Sequence, residues 1–295
     1  MKTNIRGVGV ALITPFTDQG EVDFAALGTL LNRVTDGGAD YLVVLGTTAE
    51  TPTLTADEKT AVLRFVLGQN AGKLPIILGI GGNNTAEVVA GIRRQDLSGV
   101  DAILSVTPYY NRPSQEGLYL HYKAIAEAAP CGVVLYNVPG RTGVNLKPRT
   151  ALRLASEFPN VIAIKEASGS LSQAAYILRD RPDGFAVISG DDNLTLPMAA
   201  LGADGVISVA ANAFPKTFCD MAHKALDGDT ATAARLHLRM METVDALFEE
   251  GNPTGIKCAL SCLGIIRNTL RLPLVPSSDA LTEKIGRLLR DNDLH

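Results

Sequence analysis

A lysine ends one of the most apolar stretches of this sequence. Residues 161–164 read VIAI, and Lys165 follows at once in the segment VIAIKEAS. An ammonium group at the end of a buried strand is costly to remove from water, which favours the neutral amine. A neutral amine is a nucleophile that can form an imine with a carbonyl compound. On this segment alone, a lysine that simply reaches water from a strand end is the commoner arrangement.

The choice between these two interpretations depends on the elements around Lys165. Residues of a strand point alternately to its two faces, so Val161, Ala163 and Lys165 share one face. We therefore expect Val161 and Ala163 to line the interior of the fold below the amine.

Composition limits the class of protein. The chain has 295 residues, 46% of them hydrophobic, and a formal net charge of -4. No basic patch or long charge run is present, so neither nucleic acid nor an anionic membrane is expected as a partner. The first apolar run is too short for a signal sequence, and no stretch has the length of a membrane span. Cys258 and Cys262 have helical spacing rather than a CxxC pattern, which favours a reducing, cytoplasmic location.

Short runs of Val, Ile and Leu recur through most of the chain, each followed by a polar turn and a helix-like segment. Their spacing of roughly 30 residues is the size of a βα unit. The eight runs lie at residues 8–13, 41–45, 75–80, 102–106, 132–136, 161–164, 185–189 and 205–209. They are continuous rather than alternating, as in strands buried on both faces. The pattern predicts a (β/α)8 TIM barrel; a doubly wound sheet is the alternative, but no GxGxxG follows the first run.

No strand is predicted after residue 209, and from about Pro215 the pattern is helical, with Pro273 and Pro276 between the last two helices. Helices are predicted at residues 218–226, 230–247, 255–264 and 278–289. This is more than the eighth barrel helix requires. We predict a catalytic barrel domain over residues 1–224 and a C-terminal helical region over residues 225–295 that packs on it.

Active-site side chains of such barrels follow the carboxyl ends of the strands. The predicted strand ends carry one lysine, several hydroxyl groups and one arginine: Thr47, Thr48, Tyr109, Tyr110, Tyr136, Arg141 and Lys165. Hydroxyl groups can move protons during imine formation, and an arginine binds a carboxylate through two hydrogen bonds. Each residue alone is more common in packing or helix capping. Their joint position on one rim favours imine chemistry.

Patterns typical of metal sites are missing from the sequence. The four histidines are His121, His223, His237 and His295; none follows a predicted strand, and none forms HxH or HExxH. Adjacent Asp191 and Asp192 point opposite ways from a strand end, which favours turn or capping chemistry over Mg²⁺ binding. We therefore predict an active site without a metal or other cofactor.

Several motifs together resemble the dihydrodipicolinate synthase / N-acetylneuraminate lyase family of pyruvate-dependent class I aldolases. They run nearly end to end: GVGVALITPF, GTTAE, TPYYNRPSQEGLYLHY, YNVPGRTG, IKEASG, SGDD, GVISVAANAFP, NPTGIKCAL and LRLPLVP. The resemblance implies a (β/α)8 barrel with a C-terminal helical region, usually a homotetramer built from tight dimers. It also implies that the only covalent group at the site is an imine on a lysine.

The resemblance assigns roles to individual residues. It implies that Lys165 forms the Schiff base with pyruvate and that Tyr136 acts as general acid and base above it. Thr47 would join Tyr136 to Tyr110 in a proton relay, with Tyr110 supplied by the neighbouring subunit of a dimer.

The substrate-binding residues follow from the same motifs. Thr48 matches the pyruvate-carboxylate site, and Gly190 and Ile207 match backbone positions that line the pocket. Arg141 matches the arginine that marks the synthases of the family, where it binds the carboxylate of aspartate semialdehyde. The implied reaction is a lyase-class condensation of pyruvate with L-aspartate 4-semialdehyde in diaminopimelate and lysine biosynthesis. The alternatives are a sister aldolase, such as N-acetylneuraminate lyase or a keto-deoxy-sugar aldolase, and a catalytically silent barrel that binds a keto acid.

The sequence departs from the family pattern at two places. Ala49 stands where the GTTGE loop usually has glycine, and we expect a small effect. Asn83, Glu87 and Tyr109 match positions that contact a lysine effector in feedback-inhibited members. Ala56 and Lys59 stand where strongly inhibited members often carry histidine or an aromatic residue.

We predict weak or absent feedback inhibition by L-lysine, because the ammonium of Lys59 would repel that of the effector. A coupled assay of the condensation reaction with increasing L-lysine measures this. Inhibition at sub-millimolar L-lysine would show the prediction to be wrong.

Overall fold

A computed structural model describes residues 5–294 of the chain. Within them, eight parallel strands close into a barrel in chain order, each bonded to the strands before and after it. The strands are β1 (Gly7–Ala11), β2 (Tyr41–Val44), β3 (Ile76–Gly79), β4 (Ala102–Val106), β5 (Gly132–Asn137), β6 (Val161–Glu166), β7 (Ala186–Ser189) and β8 (Gly205–Ser208). The predicted (β/α)8 barrel is confirmed, and every predicted apolar run overlaps one of its strands.

Helices alternate with the strands and then continue past the barrel. They are α1 (Phe24–Asp36), α2 (Ala56–Asn70), α3 (Thr85–Arg94), α4 (Gln115–Ala128), α5 (Pro139–Thr142), α6 (Pro148–Glu157), α7 (Leu171–Asp180), α8 (Thr195–Ala200), α9 (Pro215–Leu226), α10 (Thr230–Phe248), α11 (Thr254–Cys262) and α12 (Asp279–Asp291). Helix α10 packs on α8 and α9, and α12 packs on α10 and α11. Because α9 ends at Leu226, a domain boundary after residue 224 would cut its last turn; the division into two domains stays a prediction.

Helix starts follow the capping chemistry of the sequence. Before α2, the Thr55 hydroxyl accepts a hydrogen bond from the Glu58 amide at 3.2 Å, and the Glu58 carboxylate accepts one from the Thr55 amide at 2.9 Å. This reciprocal capping box uses backbone donors that the first helical turn leaves without partners. It fixes where α2 begins, directly after the loop that leaves β2.

The barrel has two apolar layers because strand residues alternate between its interior and the surrounding helices. The interior layer includes Ala11, Val43, Leu104, Val134 and Ile188. The outer layer lies between strands and helices and holds most of the buried apolar residues. Functional side chains on the inner face can therefore reach only the axis of the barrel or its two ends.

Tyr41 fills the end of the barrel where the strands begin. Its ring lies inside, against Gly9, where an added Cβ would sit 2.0 Å from a ring carbon. The buried hydroxyl donates a hydrogen bond to the Val206 carbonyl at 3.2 Å, and burial raises the pKa of this phenol. Glycine at position 9 thus makes room for a side chain that closes this end.

Strand β6 contains a bulge that changes which residues face inward. The neighbouring β5 residues Val133 and Val134 pair with Val161 and Ala163, so Ile162 is an extra residue without a partner on β5. Ile162 and Ala163 both belong to the interior layer, whereas Val161 lies in the outer layer. Gly132 of β5 makes this possible, because a Cβ there would lie 2.5 Å from the Ile162 side chain. The expectation for Ala163 is confirmed; that for Val161 is wrong, because strict alternation does not hold across a bulge.

Replacing Ala163 with leucine should reduce both stability and catalysis. Extra methyl groups in a packed interior cost about 1–3 kcal/mol of unfolding free energy, and here they would push on the strand that carries Lys165. Urea unfolding and kcat/KM per folded molecule measure the two effects. Val161→Leu is the matched control: it adds bulk to the outer layer of the same strand and should leave kcat/KM per folded molecule unchanged. Full activity per folded Ala163→Leu molecule would contradict the prediction.

Candidate active site

A cavity of about 570 Å³ opens at the carboxyl ends of the strands. Six of the predicted site residues line it: Thr47, Thr48, Tyr136, Arg141, Lys165 and Gly190. They come from the loops or ends of β2, β5, β6 and β7. Tyr110 and Ile207 are not among its lining residues.

Lys165 and Tyr136 form the centre of the cavity. They occupy paired positions on the neighbouring strands β6 and β5. The Lys165 Nζ lies 4.4 Å from the centroid of the Tyr136 ring, and each residue is only 6% exposed. The amine is thus held in one place beside a phenol, where water has little access.

Gly190 lies against the stem of this lysine. A Cβ at position 190 would sit 3.0 Å from the Lys165 Cε and 2.7 Å from the Ala167 Cβ. The Gly190 amide donates to the Glu166 carbonyl at 2.8 Å. The absence of a side chain at this position therefore lets the β7 end approach the lysine closely.

The residue after Lys165 holds the strand end in place. The Glu166 carboxylate accepts hydrogen bonds from the side-chain amides of Asn137 and Gln173, each at 3.0 Å, and from the Ser168 backbone amide at 2.7 Å. Glu166 is 3% exposed. This network faces away from the cavity and joins the ends of β5 and β6, so it fixes the backbone beside Lys165.

Thr47 and Thr48 lie in a tight turn after β2. Thr47–Ala49 forms one turn of 3₁₀ helix, and the residues with positive φ in this loop are Leu45 at 56° and Glu50 at 54°. Ala49 itself does not need the left-handed conformation that favours glycine. The departure from GTTGE is therefore compatible with the geometry of this loop.

A buried ion pair closes the same loop. Glu50 and Lys257 of α11 form a salt bridge in which both side chains are 0% exposed. The Arg271 backbone amide donates to the Glu50 carboxylate at 3.0 Å, and the Lys257 Nζ donates to the Thr269 carbonyl at 3.0 Å. Burial lowers the pKa of Lys257 to about 8. This pair was not predicted from the sequence. The signal for a buried, paired lysine was the position of Lys257 inside the apolar segment GIKCAL.

Asn252 joins two parts of the cavity wall. Its side-chain Nδ2 donates to the Thr48 hydroxyl at 3.0 Å, and its backbone carbonyl accepts from the Arg141 Nη2 at 3.4 Å. Asn252 is 9% exposed and lines the cavity, whereas Arg141 lies exposed at its rim. Asn252 was not predicted as a site residue either, although it begins the family motif NPTGIKCAL, because that motif alone does not show which of its side chains reaches the cavity.

The predicted relay is not assembled within one chain. Tyr110 is 84% exposed on the loop after β4, with a φ of 74°. No hydrogen bond joins the hydroxyl groups of Thr47, Tyr136 and Tyr110 in residues 5–294. Ile207 lies in the interior layer and is 1% exposed.

The candidate effector residues lie outside the cavity. Asn83 donates a hydrogen bond to the Tyr109 carbonyl at 3.4 Å, so these two are neighbours. Asn83 and Glu87 are exposed, and Lys59 is half-buried in the first turn of α2. In the described part of the chain, no hydrogen bond or ion pair joins Lys59 or Glu87 to the first two.

The three histidines within the described residues, His121, His223 and His237, lie on helices rather than at strand ends. His121 of α4 is buried with its Nδ1 2.8 Å from the Thr85 hydroxyl, and burial lowers its pKa to about 4. His223 of α9 has its Nε2 2.7 Å from an Asp40 oxygen, and this hydrogen bond raises the pKa of His223. His295 lies outside the described residues.

In residues 5–294 no group of three His, Cys, Asp or Glu side chains could hold a metal ion. None of the helices described there is long and apolar enough to cross a membrane.

Fold and cavity together define a (β/α)8 barrel protein with a buried lysine in the mouth of its barrel. The chain matches the model of the dihydrodipicolinate synthetase family over residues 4–292. It is 54% identical over 287 residues to the 4-hydroxy-tetrahydrodipicolinate synthase of Parabacteroides distasonis, covering 97% of each chain.

Solved structures give the same result. A chloride-inhibited dihydrodipicolinate synthase from Acinetobacter baumannii, complexed with pyruvate, is similar with a TM-score of 0.95 and 40% identity over 99% of this chain and 100% of that one. A monomeric dihydrodipicolinate synthase variant gives a TM-score of 0.97 and 40% identity over 99% of this chain and 98% of that one. The chain belongs to the dihydrodipicolinate synthetase family.

Removing one partner of the buried ion pair should strongly destabilise the fold. We expect Lys257→Met to lower the unfolding free energy by about 3–5 kcal/mol, because it leaves the buried Glu50 carboxylate without its ion-pair partner. Adding Glu50→Gln should recover part of that loss. Urea unfolding at neutral pH measures both.

Lys216→Met is the matched control for this change. It breaks an ion pair with Asp220 whose side chains are 78% and 53% exposed, and exposed pairs contribute little. Equal effects of Lys257→Met and Lys216→Met would contradict the prediction.

Proposed function

We propose that this chain is a 4-hydroxy-tetrahydrodipicolinate synthase. It condenses pyruvate with L-aspartate 4-semialdehyde through an imine on Lys165, in the biosynthesis of diaminopimelate and lysine. The observation that carries the proposal is the placement of a buried Lys165 beside Tyr136 in a cavity whose rim holds Arg141. Membership in the family and the name of the Parabacteroides distasonis relative support the substrate pair.

The first half of the reaction forms an enamine. The neutral Lys165 amine attacks the ketone carbon of pyruvate, and the carbinolamine loses water to give an imine. Tyr136 gives a proton to the departing hydroxide and afterwards takes one from the methyl group, which yields the enamine. Thr48 donates a hydrogen bond to the pyruvate carboxylate. Gly190 forms the wall beside the bound keto acid, and Ile207 packs in the interior layer of the barrel.

The second half joins the two substrates and closes the ring. Arg141 holds the carboxylate of aspartate semialdehyde, whose aldehyde carbon is attacked by the enamine carbon. A carbon–carbon bond forms, the aldehyde oxygen takes a proton, and the imine on Lys165 returns. The substrate's own amino group then attacks that imine carbon and displaces Lys165, so the cyclic product leaves and the amine is regenerated.

Self-association completes the proposal. Tyr110 is 84% exposed and lies away from its own chain's cavity, which is the position expected of a residue that serves a second copy. Thr47 would link it to Tyr136 in a homodimer or in a homotetramer built from such dimers. Sedimentation velocity of the full chain tests this part.

The remaining parts of the proposal concern cofactors and location. The imine on Lys165 replaces any cofactor, since a protonated imine withdraws electrons from the neighbouring carbon without one. A cytoplasmic location is supported by four free cysteines in the described chain, which suit a reducing compartment.

A sister aldolase acting on a sugar-derived keto acid is less favoured, because Arg141 suits an aldehyde that carries a carboxylate. A silent keto-acid-binding barrel is less favoured too, since such a protein would have no use for a lysine and a phenol in contact.

Borohydride trapping tests the proposed function. After incubation with pyruvate and reduction, the intact protein should gain the mass of one carboxyethyl group per chain, located on Lys165 by peptide mapping. Turnover of pyruvate with aspartate semialdehyde is measured alongside, against a panel of sugar-derived aldehydes.

Two variants sharpen the result. Lys165→Ala should lose the adduct and nearly all turnover, with its unfolding transition retained. Lys257 is a second buried lysine outside the cavity, so an adduct on Lys257 or one that persists in Lys165→Ala would defeat the mechanism. Trapping without turnover of aspartate semialdehyde would instead support a sister aldolase or a silent barrel.

A further inference from the structure

Asn252 is the buried polar residue of the cavity wall to which the mechanism above gives no role. It precedes α11, far along the chain from the other site residues, and is 9% exposed. Its side chain reaches the Thr48 hydroxyl, while its backbone carbonyl accepts from Arg141. One residue therefore contacts the groups proposed to bind the two substrates.

The direction of the bond to Thr48 determines what Thr48 can do. A threonine hydroxyl has one hydrogen to donate and lone pairs to accept. The Asn252 Nδ2 donates into the Thr48 oxygen at 3.0 Å. The hydroxyl hydrogen is therefore not used by Asn252 and stays available for an acceptor in the cavity, such as a carboxylate.

The opposite orientation of the amide is less favourable. As placed, the Asn252 Oδ1 is buried and accepts no hydrogen bond from residues 5–294. If the amide were turned over, its NH2 group would occupy the buried Oδ1 position, where no hydrogen bond forms within residues 5–294. Buried donors without partners are rarer in proteins than under-used carbonyl oxygens. The side chain thus acts as a donor toward Thr48.

We infer that Asn252 is a positioning residue for the keto acid: it fixes the Thr48 hydroxyl as a donor to the pyruvate carboxylate. This inference rests on the proposed function, and in particular on the role of Thr48 in it. Asn252 does not touch the reacting atoms. It acts through Thr48, so its loss affects the affinity for pyruvate more than the chemical steps.

The test compares Asn252→Ala, Asn252→Asp and Thr48→Val with the double variant Thr48→Val/Asn252→Ala. The pyruvate concentration that gives half-maximal borohydride trapping measures keto-acid binding without the second substrate. The KM for pyruvate and the kcat at saturation of both substrates are measured alongside. Thermal unfolding reports on the fold of each variant.

The expected result separates positioning from simple packing. Asn252→Ala should raise the half-saturating pyruvate concentration about 10-fold, as for a lost hydrogen bond to a charged ligand, with a much smaller change in kcat. Asn252→Asp should be worse, about 100-fold, because its carboxylate takes the Thr48 hydrogen and repels the keto acid. In the Thr48→Val background, Asn252→Ala should add at most about a factor of 2.

Asn268→Ala is the matched control. Its amide also donates to a hydroxyl, that of Ser277 at 3.3 Å, and it does not line the cavity. It should leave the half-saturating pyruvate concentration unchanged.

Several outcomes would overturn the inference. The first is an Asn252→Asp variant whose half-saturating pyruvate concentration equals that of Asn252→Ala. The second is a double variant in which the two increases in that concentration multiply in full. The third is an increase in Asn268→Ala equal to that in Asn252→Ala. Failure of the proposed function is distinct, because the unmodified protein would then form no pyruvate adduct at all. If it forms the adduct but Thr48→Val binds pyruvate normally, both the role of Thr48 and this inference are wrong.

Discussion

The salt bridge between Glu50 and Lys257 is the interaction on which the arrangement of the cavity depends. It joins the loop after β2 to helix α11, and both side chains are 0% exposed. Glu50 has a φ of 54°, a left-handed conformation that a non-glycine residue keeps only where its surroundings hold it. Buried charges must be paired to be tolerated, so the loop cannot open without exposing both. The salt bridge thereby fixes the turn with Thr47 and Thr48 against helix α11. The C-terminal helices therefore help to position residues of the cavity.

A second buried carboxylate plays the matching part on the other side of the cavity. Glu166 accepts three hydrogen bonds from groups of β5, α7 and the loop after β6. Its network faces outward, while the adjacent Lys165 faces the cavity. Polar groups that are fully bonded in a low-dielectric interior restrict the backbone to one conformation. Lys165 and the turn with Thr47 and Thr48 are therefore held in place by buried carboxylates that lie outside the cavity, so in the proposed reaction they would need little reorganisation.

The sequence was sufficient for the fold because βα units repeat, and repetition places every strand end on one rim. Lys165, Tyr136 and Arg141 could be predicted from that rule alone as neighbours. The bulge at Ile162 could not, since it depends on Gly132 of the adjacent strand leaving space for a side chain. Glu50, Lys257 and Asn252 were missed because their partners are some two hundred residues away in the chain, as with Asn252 and Thr48. Contacts between residues so far apart depend on how the last helices pack on the barrel. The periodicity of the sequence predicts these helices but not which of their residues face which strand end.

Tyr41 closes the end of the barrel opposite the cavity, so ligands share a single approach. Lys165 lies deep on that approach and Arg141 lies exposed at its mouth. In the proposed reaction, a molecule held at Arg141 would stand between solvent and the amine. We therefore expect the keto acid to bind before the aldehyde, because the proposed site of the second substrate lies above that of the first on the same approach.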